Sequence, residues 1–147
     1  MDVLVERCAG LDVHRDTVVA TVRVPARGRR GREQATRTFA TTTAGICALG
    51  DWLAEHRISR AGMESTGVYW KPVYYLLEDQ LEVWLINAEH LHHVPGRKTD
   101  VADSAWIAQM IEHGLVRPSF VPPAPIRELR DLTRHRRTLV EERTRVI

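Results

Sequence analysis

Lysine is almost absent from this 147-residue chain: of 21 basic residues only Lys71 and Lys98 are lysine, and the rest are arginine. The positive charge therefore sits almost wholly on planar guanidinium forks, which suit phosphate recognition. A genome that favours arginine codons would leave the same mark. Cysteine is scarce too. Cys8 and Cys47 are the only two, both in apolar surroundings and at no metal-binding spacing. That excludes a disulfide framework or a zinc module and predicts two reduced core residues. No run of about 18 apolar residues occurs, so nothing is expected to span a membrane. The opening residues lack the basic-then-apolar layout of a secretory signal, and a cytoplasmic location is expected. There is no internal repeat or low-complexity tract. Hydrophobic residues at 44% and charged residues at 27% suffice for one domain with a sizeable core and a short appendage.

Hydrophobic periodicity organises what is present. Cys8 to His14 is a short apolar run broken by one aspartate. The β-rich stretch Thr17 to Val24 follows, then a turn over 25–32 and a third strand, Gln34 to Ala40. Three strands joined by short turns read as an antiparallel meander. From Thr43 the period becomes helical, with Ile46, Leu49, Trp52 and Leu53 on one face and an end near His56. Strand and helix then alternate. Arg60 to Glu64 is a strand, and a helix starts at Ser65-Thr-Gly and carries Val68, Val73, Leu76 and Leu77. Glu82 to Asn87 is a buried strand, and Thr99 to Glu112 is a helix. This order predicts an α/β fold: a mixed five-stranded sheet with helices on both faces. Residues 1–117 form that domain and 118–124 a stiff proline-rich linker. Residues 125–147 open an arginine-rich helix whose Leu132, Leu139 and Val146 recur every seven residues, as at the start of a coiled coil. The pattern breaks off without a stop signal, so continuation into a further domain is expected.

Four acids stand out. Asp12 interrupts the first apolar strand, where a charge is costly unless paired or bound to a cation. Glu64 repeats the anomaly at the end of a second strand, although an acid beside a helix N-terminus would look the same. Asp100 and Asp103 are spaced i, i+3 at a helix start and can share a face; capping and the helix dipole explain that pair as well. If the two strands are neighbours and the helix crosses them, the four carboxylates meet. They would then repel unless divalent cations neutralised them. Oxygen donors without a histidine–cysteine set point to Mg²⁺, with Mn²⁺ as a substitute.

These residues also carry a resemblance. Gly10-Leu-Asp-Val-His14, Met63-Glu-Ser-Thr-Gly-Val-Tyr-Trp70 and Val94-Pro-Gly-Arg-Lys-Thr-Asp-Val-Ala-Asp103 are similar to the N-terminal domain of the insertion-sequence one-ten family of transposases. Gly114-Leu-Val-Arg-Pro-Ser-Phe-Val-Pro123 and Arg127-Glu-Leu-Arg-Asp-Leu-Thr-Arg134 add to it. The resemblance implies a ribonuclease-H-like fold of the RuvC kind, with Asp12, Glu64, Asp100 and Asp103 as its catalytic acids. It also implies a DNA recombinase guided by a bridge RNA that pairs donor and target DNA, with the attacking serine in a separate domain. Homo-oligomers through the C-terminal helix are expected.

Further residues have two readings each. Arg27, Arg29, Arg30 and Arg32 crowd one turn, and Arg134 and Arg137 belong to a second arginine group; with Lys98 they are candidate nucleic-acid contacts or solvated charges. Ser65, Thr66 and Gly67 either present N–H groups to phosphate or cap a helix. His90, His92 and His93 fit no zinc pattern and read as surface or RNA-facing residues. Tyr69 and Trp70 are core residues or base-stacking platforms. Two other functions compete. One is a RuvC-like resolvase or nuclease in which water attacks; the other is a catalytically silent nucleic-acid scaffold. Actin-like ATPases share an aspartate near the first strand but need a second phosphate loop and an adenosine site, which the chain lacks.

Overall fold

The architecture rests on alternation along the strands. In a computed structural model, which describes residues 2–65, 67–87, 89 and 103–146, β1 (Cys8–Val13), β2 (Thr17–Pro25) and β3 (Arg32–Ala40) form the expected antiparallel meander. β4 (Arg60–Glu64) and β5 (Glu82–Ile86) extend the sheet in parallel from the other side of β1, giving the order β3-β2-β1-β4-β5. Every second side chain points to one face. Ala9, Leu11, Ala20, Ala61, Met63 and Leu85 enter the main core, beneath α1 (Thr43–Glu55) and α2 (Trp70–Leu77). On the opposite face Cys8 and Ile86 join a smaller core with Ile107, Met110 and Ile111 of α3 (Ser104–Glu112). Helices thus cover both faces, as the strand–helix order predicts.

Local chemistry sets the helix ends. The Thr42 side chain accepts the Gly45 N–H at 3.0 Å and caps α1. α2 starts at Trp70, five residues later than the Ser65-Thr-Gly signal suggests. Pro72 explains the shift: proline is tolerated only in the first turn, where its missing N–H has no partner to lose. The Ser65 N–H instead donates to the Ile86 carbonyl at 2.9 Å, so the segment continues the sheet. Val68, which precedes the helix, and Leu76, which lies within it, are exposed, while Val73 and Leu77 are buried. Cys47 corrects another expectation, because it lies on the outer side of α1 and is exposed, while Cys8 is buried.

Two glycines let α3 lie close on the sheet. A Cβ on Gly10 would collide with the Ser104 carbonyl oxygen and stand 2.5 Å from the Ala108 nitrogen; one on Gly62 would meet Ile111 Cδ1 at 2.8 Å. Above Gly10 the Ser104 hydroxyl meets Thr21 Oγ1 at 2.7 Å, and Thr21 in turn meets Thr36 at 2.8 Å. This hydroxyl chain ties α3 to β2 and β3. At the far end of α3, Glu112 is buried and paired with Arg23 and Arg32.

The proline-rich stretch is laid against the domain. The Ser119 N–H donates to the Leu85 carbonyl at 2.6 Å, and Val121 packs on the main core. α4 (Ala124–Val146) follows, and Arg127 at its start grips Glu78 through two hydrogen bonds of 2.6 and 2.8 Å. Among the described residues no helix is long and apolar enough to cross a membrane.

Candidate metal centre and nucleic-acid surface

Asp12 and Glu64 are neighbours by register. The last parallel pair between β1 and β4 is Leu11 with Met63, and these two acids follow on the adjacent strands. Each lies two residues beyond a glycine that faces α3, Gly10 or Gly62, so both lie on the α3 face. α3 runs opposite to β1: Ser104 covers Gly10, and the Leu4 N–H reaches the Glu112 carbonyl at 2.8 Å. The start of α3, with Asp103, is thereby brought to the carboxyl ends of β1 and β4. This is the edge where open α/β sheets bind ligands.

The geometry of the individual acids is uneven. Asp12 Oδ2 stands 3.0 Å from His14 Nε2, and its side chain is about a quarter exposed. Glu64 is half-buried. Asp103 is extended (φ −99°, ψ 174°), and its Oδ1 accepts the Trp106 N–H at 2.8 Å. That corrects the expectation of Asp103 as an acid within the helix, because Asp103 is itself the cap and the helix begins after it. Asp100 lies outside the described residues, as do Lys98, His90, His92 and His93. Among the described residues no three of His, Cys, Asp and Glu stand close enough together to hold an ion. Cys8, on the same face, is no nucleophile: burial pushes its thiol up to about 12.

The arginine turn occupies the opposite pole. Val19 of β2 pairs with Asp12, whereas Arg23 pairs with Cys8, and the turn begins two residues beyond that. Six residues of strand separate the levels of Asp12 and Pro25, roughly 20 Å. Arg27, Arg29 and Arg30 are exposed there. Arg32 is not. Its guanidinium lies 3.5 Å from the buried Glu112 carboxylate and donates to the Glu6 and Arg23 carbonyls, so it serves the fold. Sequence reasoning missed Glu112. Its signal was its position at i+8 on the Ser104, Ile107, Ala108, Ile111 stripe, a carboxylate on a core-facing row. Arg134 and Arg137 are exposed on α4, the latter 3.4 Å from Glu141.

The profile of the DEDD transposases of the IS110 type matches residues 9–147. The chain belongs to this transposase family. It is therefore a domain of an enzyme that cuts and recombines DNA. No curated protein matches the sequence. Among solved structures this transposase domain is similar to RuvC of Thermus thermophilus, at 13% identity and a TM-score of 0.53, covering 77% of this chain and 99% of that one. The likeness establishes the RuvC-like fold expected for it. A Fowlpox virus resolvase, solved with Holliday junction DNA, matches at 10% identity and a TM-score of 0.42 over 63% of this chain and 64% of that one.

Proposed function

We propose that this domain holds divalent cations, Mg²⁺ in the cell and Mn²⁺ as substitute, on Asp12, Glu64, Asp100 and Asp103, and acts there on a DNA phosphodiester. The observation that carries the reading is the convergence of the carboxyl ends of β1 and β4 with the amino end of α3 in a member of the DEDD transposases. The donor set fits the ions: the acids at this edge offer hard oxygen ligands. When bound, such a cation neutralises phosphate charge and orients the reacting oxygens. The chain's own part is to fix the carboxylates, Asp12 and Glu64 on adjacent strands and Asp103 through its hydrogen bond to Trp106. The same reading makes donor and target DNA and a bridge RNA the partners, in the cytoplasm. It gives the catalytic role to residues 1–117, joined through 118–124 to the helix of 125–147. The exposed Leu129, Leu132, Leu139 and Val140 of that helix support self-association.

The test is Mn²⁺-dependent thermal stability. A ligand that binds only the folded state raises its stability by about 2.7 kcal/mol at a hundredfold excess over Kd. Asp12→Asn and Glu64→Gln are each expected to abolish most of the gain, while stability without metal holds or rises as repulsion is relieved. Asp103→Asn is the sharpest variant, because asparagine caps helices as well as aspartate. Its metal-free stability is expected to stay within about 0.5 kcal/mol of the parent, with the Mn²⁺ gain reduced. Loss of metal-free stability in all three variants with the gain intact would make these acids structural.

The arginine turn gives a second expected result. Replacing Arg27, Arg29 and Arg30 with alanine is expected to weaken nucleic-acid binding across sequences. The salt dependence on duplex DNA should flatten by about 0.9 log units per lost phosphate contact. The Mn²⁺ gain should persist, since the turn lies at the other end of the sheet. An unchanged salt slope would leave the turn a solvated loop.

A further inference from the structure

We propose that the cleft between α2, residues 119–122 and α4 takes one unpaired nucleotide of a single strand. Its volume is about 200 Å³, on the scale of one base rather than a duplex groove. Trp70, Tyr75 and Phe120 supply aromatic walls, and Lys71, Arg130 and Arg134 supply charge.

Three observations point to this ligand. The aromatic wall is braced. Trp70 and Tyr75 meet near-perpendicularly at 6.2 Å between centroids, and the Arg127 guanidinium lies 4.2 Å over the Tyr75 ring while held by Glu78. A rigid ring face that is partly exposed is a stacking platform open to any base. Phe120 is the second: it is 80% exposed beside that wall, a large apolar ring with little of its own chain over it. The third is charge. Lys71, Arg130 and Arg134 have no ion-pair partner among the described residues, and Asp131 is the one acid in the lining. An apolar peptide would leave those cations without a counter-charge, whereas phosphates on either side of a base supply it. A duplex keeps its base faces stacked and unavailable; an unpaired strand offers them.

The position adds a consequence. Trp70 and Lys71 open α2 just past the end of β4, which carries Glu64, and Leu85 is next to last in β5. The cleft therefore lies at the carboxyl edge of the sheet, on the face away from α3. The carboxylates lie at the same edge but on the opposite, α3 face, so the cleft is a site separate from them.

The experiment measures binding of fluorescein-labelled oligo-dT, oligo-U and a mixed-sequence duplex by anisotropy, in EDTA, so that failure of the metal reading cannot affect it. Phe120→Ala and Arg134→Ala are expected to weaken both single strands about tenfold and the duplex less than twofold, with Phe120→Trp retaining affinity. The tighter of the two single strands identifies the source of the nucleotide as DNA or RNA. Single-strand affinity that survives Phe120→Ala, or falls no more than duplex affinity does, overturns the proposal. Mn²⁺ stabilisation measured on the same variants reports separately on the carboxylates, and is expected to be unchanged.

Discussion

Gly10→Ala is expected to lower the unfolding free energy by about 3 kcal/mol, the upper end for overpacking a well-filled interior. Gly62→Ala, on the adjacent strand, should cost only about 1 kcal/mol. Both positions lie beneath α3, and what their added methyl groups would meet separates them. At Gly10 it is backbone, the Ser104 carbonyl and the Ala108 nitrogen, which can move only if the whole helix lifts off the sheet. At Gly62 it is the terminal carbons of Ile111 and Ile86, which can rotate aside. Urea denaturation at constant m-value reads both costs. Lifting α3 also carries Asp103 away from Asp12, so the Mn²⁺ gain should fall further in Gly10→Ala than in Gly62→Ala. Equal small costs at the two positions would mean that α3 is not seated on β1 as described.

The strands were legible because their signal is local. The apolar run from Cys8, the β-rich stretch Thr17 to Val24 and a tight turn at Asp16 between them leave little freedom in pairing, and a slip of one residue would turn Leu11 and Ala20 to the other face. Helix starts were legible only where one device acts alone. Thr42 caps α1 as its type predicts. Ser65-Thr-Gly has the same composition but sits before Pro72, and the competing sheet bond from Ser65 to Ile86 delays α2 to Trp70. Cys47 failed for a related reason, because hydrophobicity does not reveal which side of a helix a small residue takes.

The candidate site divided along the same line. Asp12 and Glu64 could be paired from strand order, since adjacent parallel strands bring their ends together. Asp103 depended on where α3 begins, at Ser104 rather than at the expected Thr99, which turns an acid inside the helix into a cap. Arg32 was misread because arginines in one turn look alike in sequence. Only the register shows that Arg32 heads β3 opposite Pro25, within reach of Glu112, while its neighbours point into solvent. Partner choice across some 80 residues of chain leaves no local trace.

Removing Glu112 should be the most damaging change in side-chain charge. Its carboxylate is 1% exposed and faces Arg23, Arg32 and His113, and Arg23 and Arg32 are themselves about four-fifths buried. Glu112→Ala leaves two guanidinium groups without their counter-charge, which costs about 3–5 kcal/mol. In a double-mutant cycle with Arg23→Ala the pair of changes should cost less than their sum, by about 1–3 kcal/mol. The pH dependence follows from the same contacts. Burial alone raises the Glu112 carboxyl, but the Arg23 hydrogen bond and the charges of Arg23, Arg32 and His113 outweigh it, and the net result lies below the ordinary 4.5. A carboxyl lowered by folding adds stability that is complete above its unfolded value and disappears as pH falls through its folded value. Wild-type stability should therefore drop below about pH 4.5, and the gap between wild type and Glu112→Gln should narrow through that range. Glu78, lowered by its hydrogen bond from Arg127, and Glu82, lowered by Trp84 and then Arg60, titrate in both proteins and cancel in the difference. Urea midpoints at pH 7, 5, 4 and 3 measure the gap. A gap that stays constant down to pH 3 would mean that the ionised carboxylate of Glu112 does not hold α3 to β2.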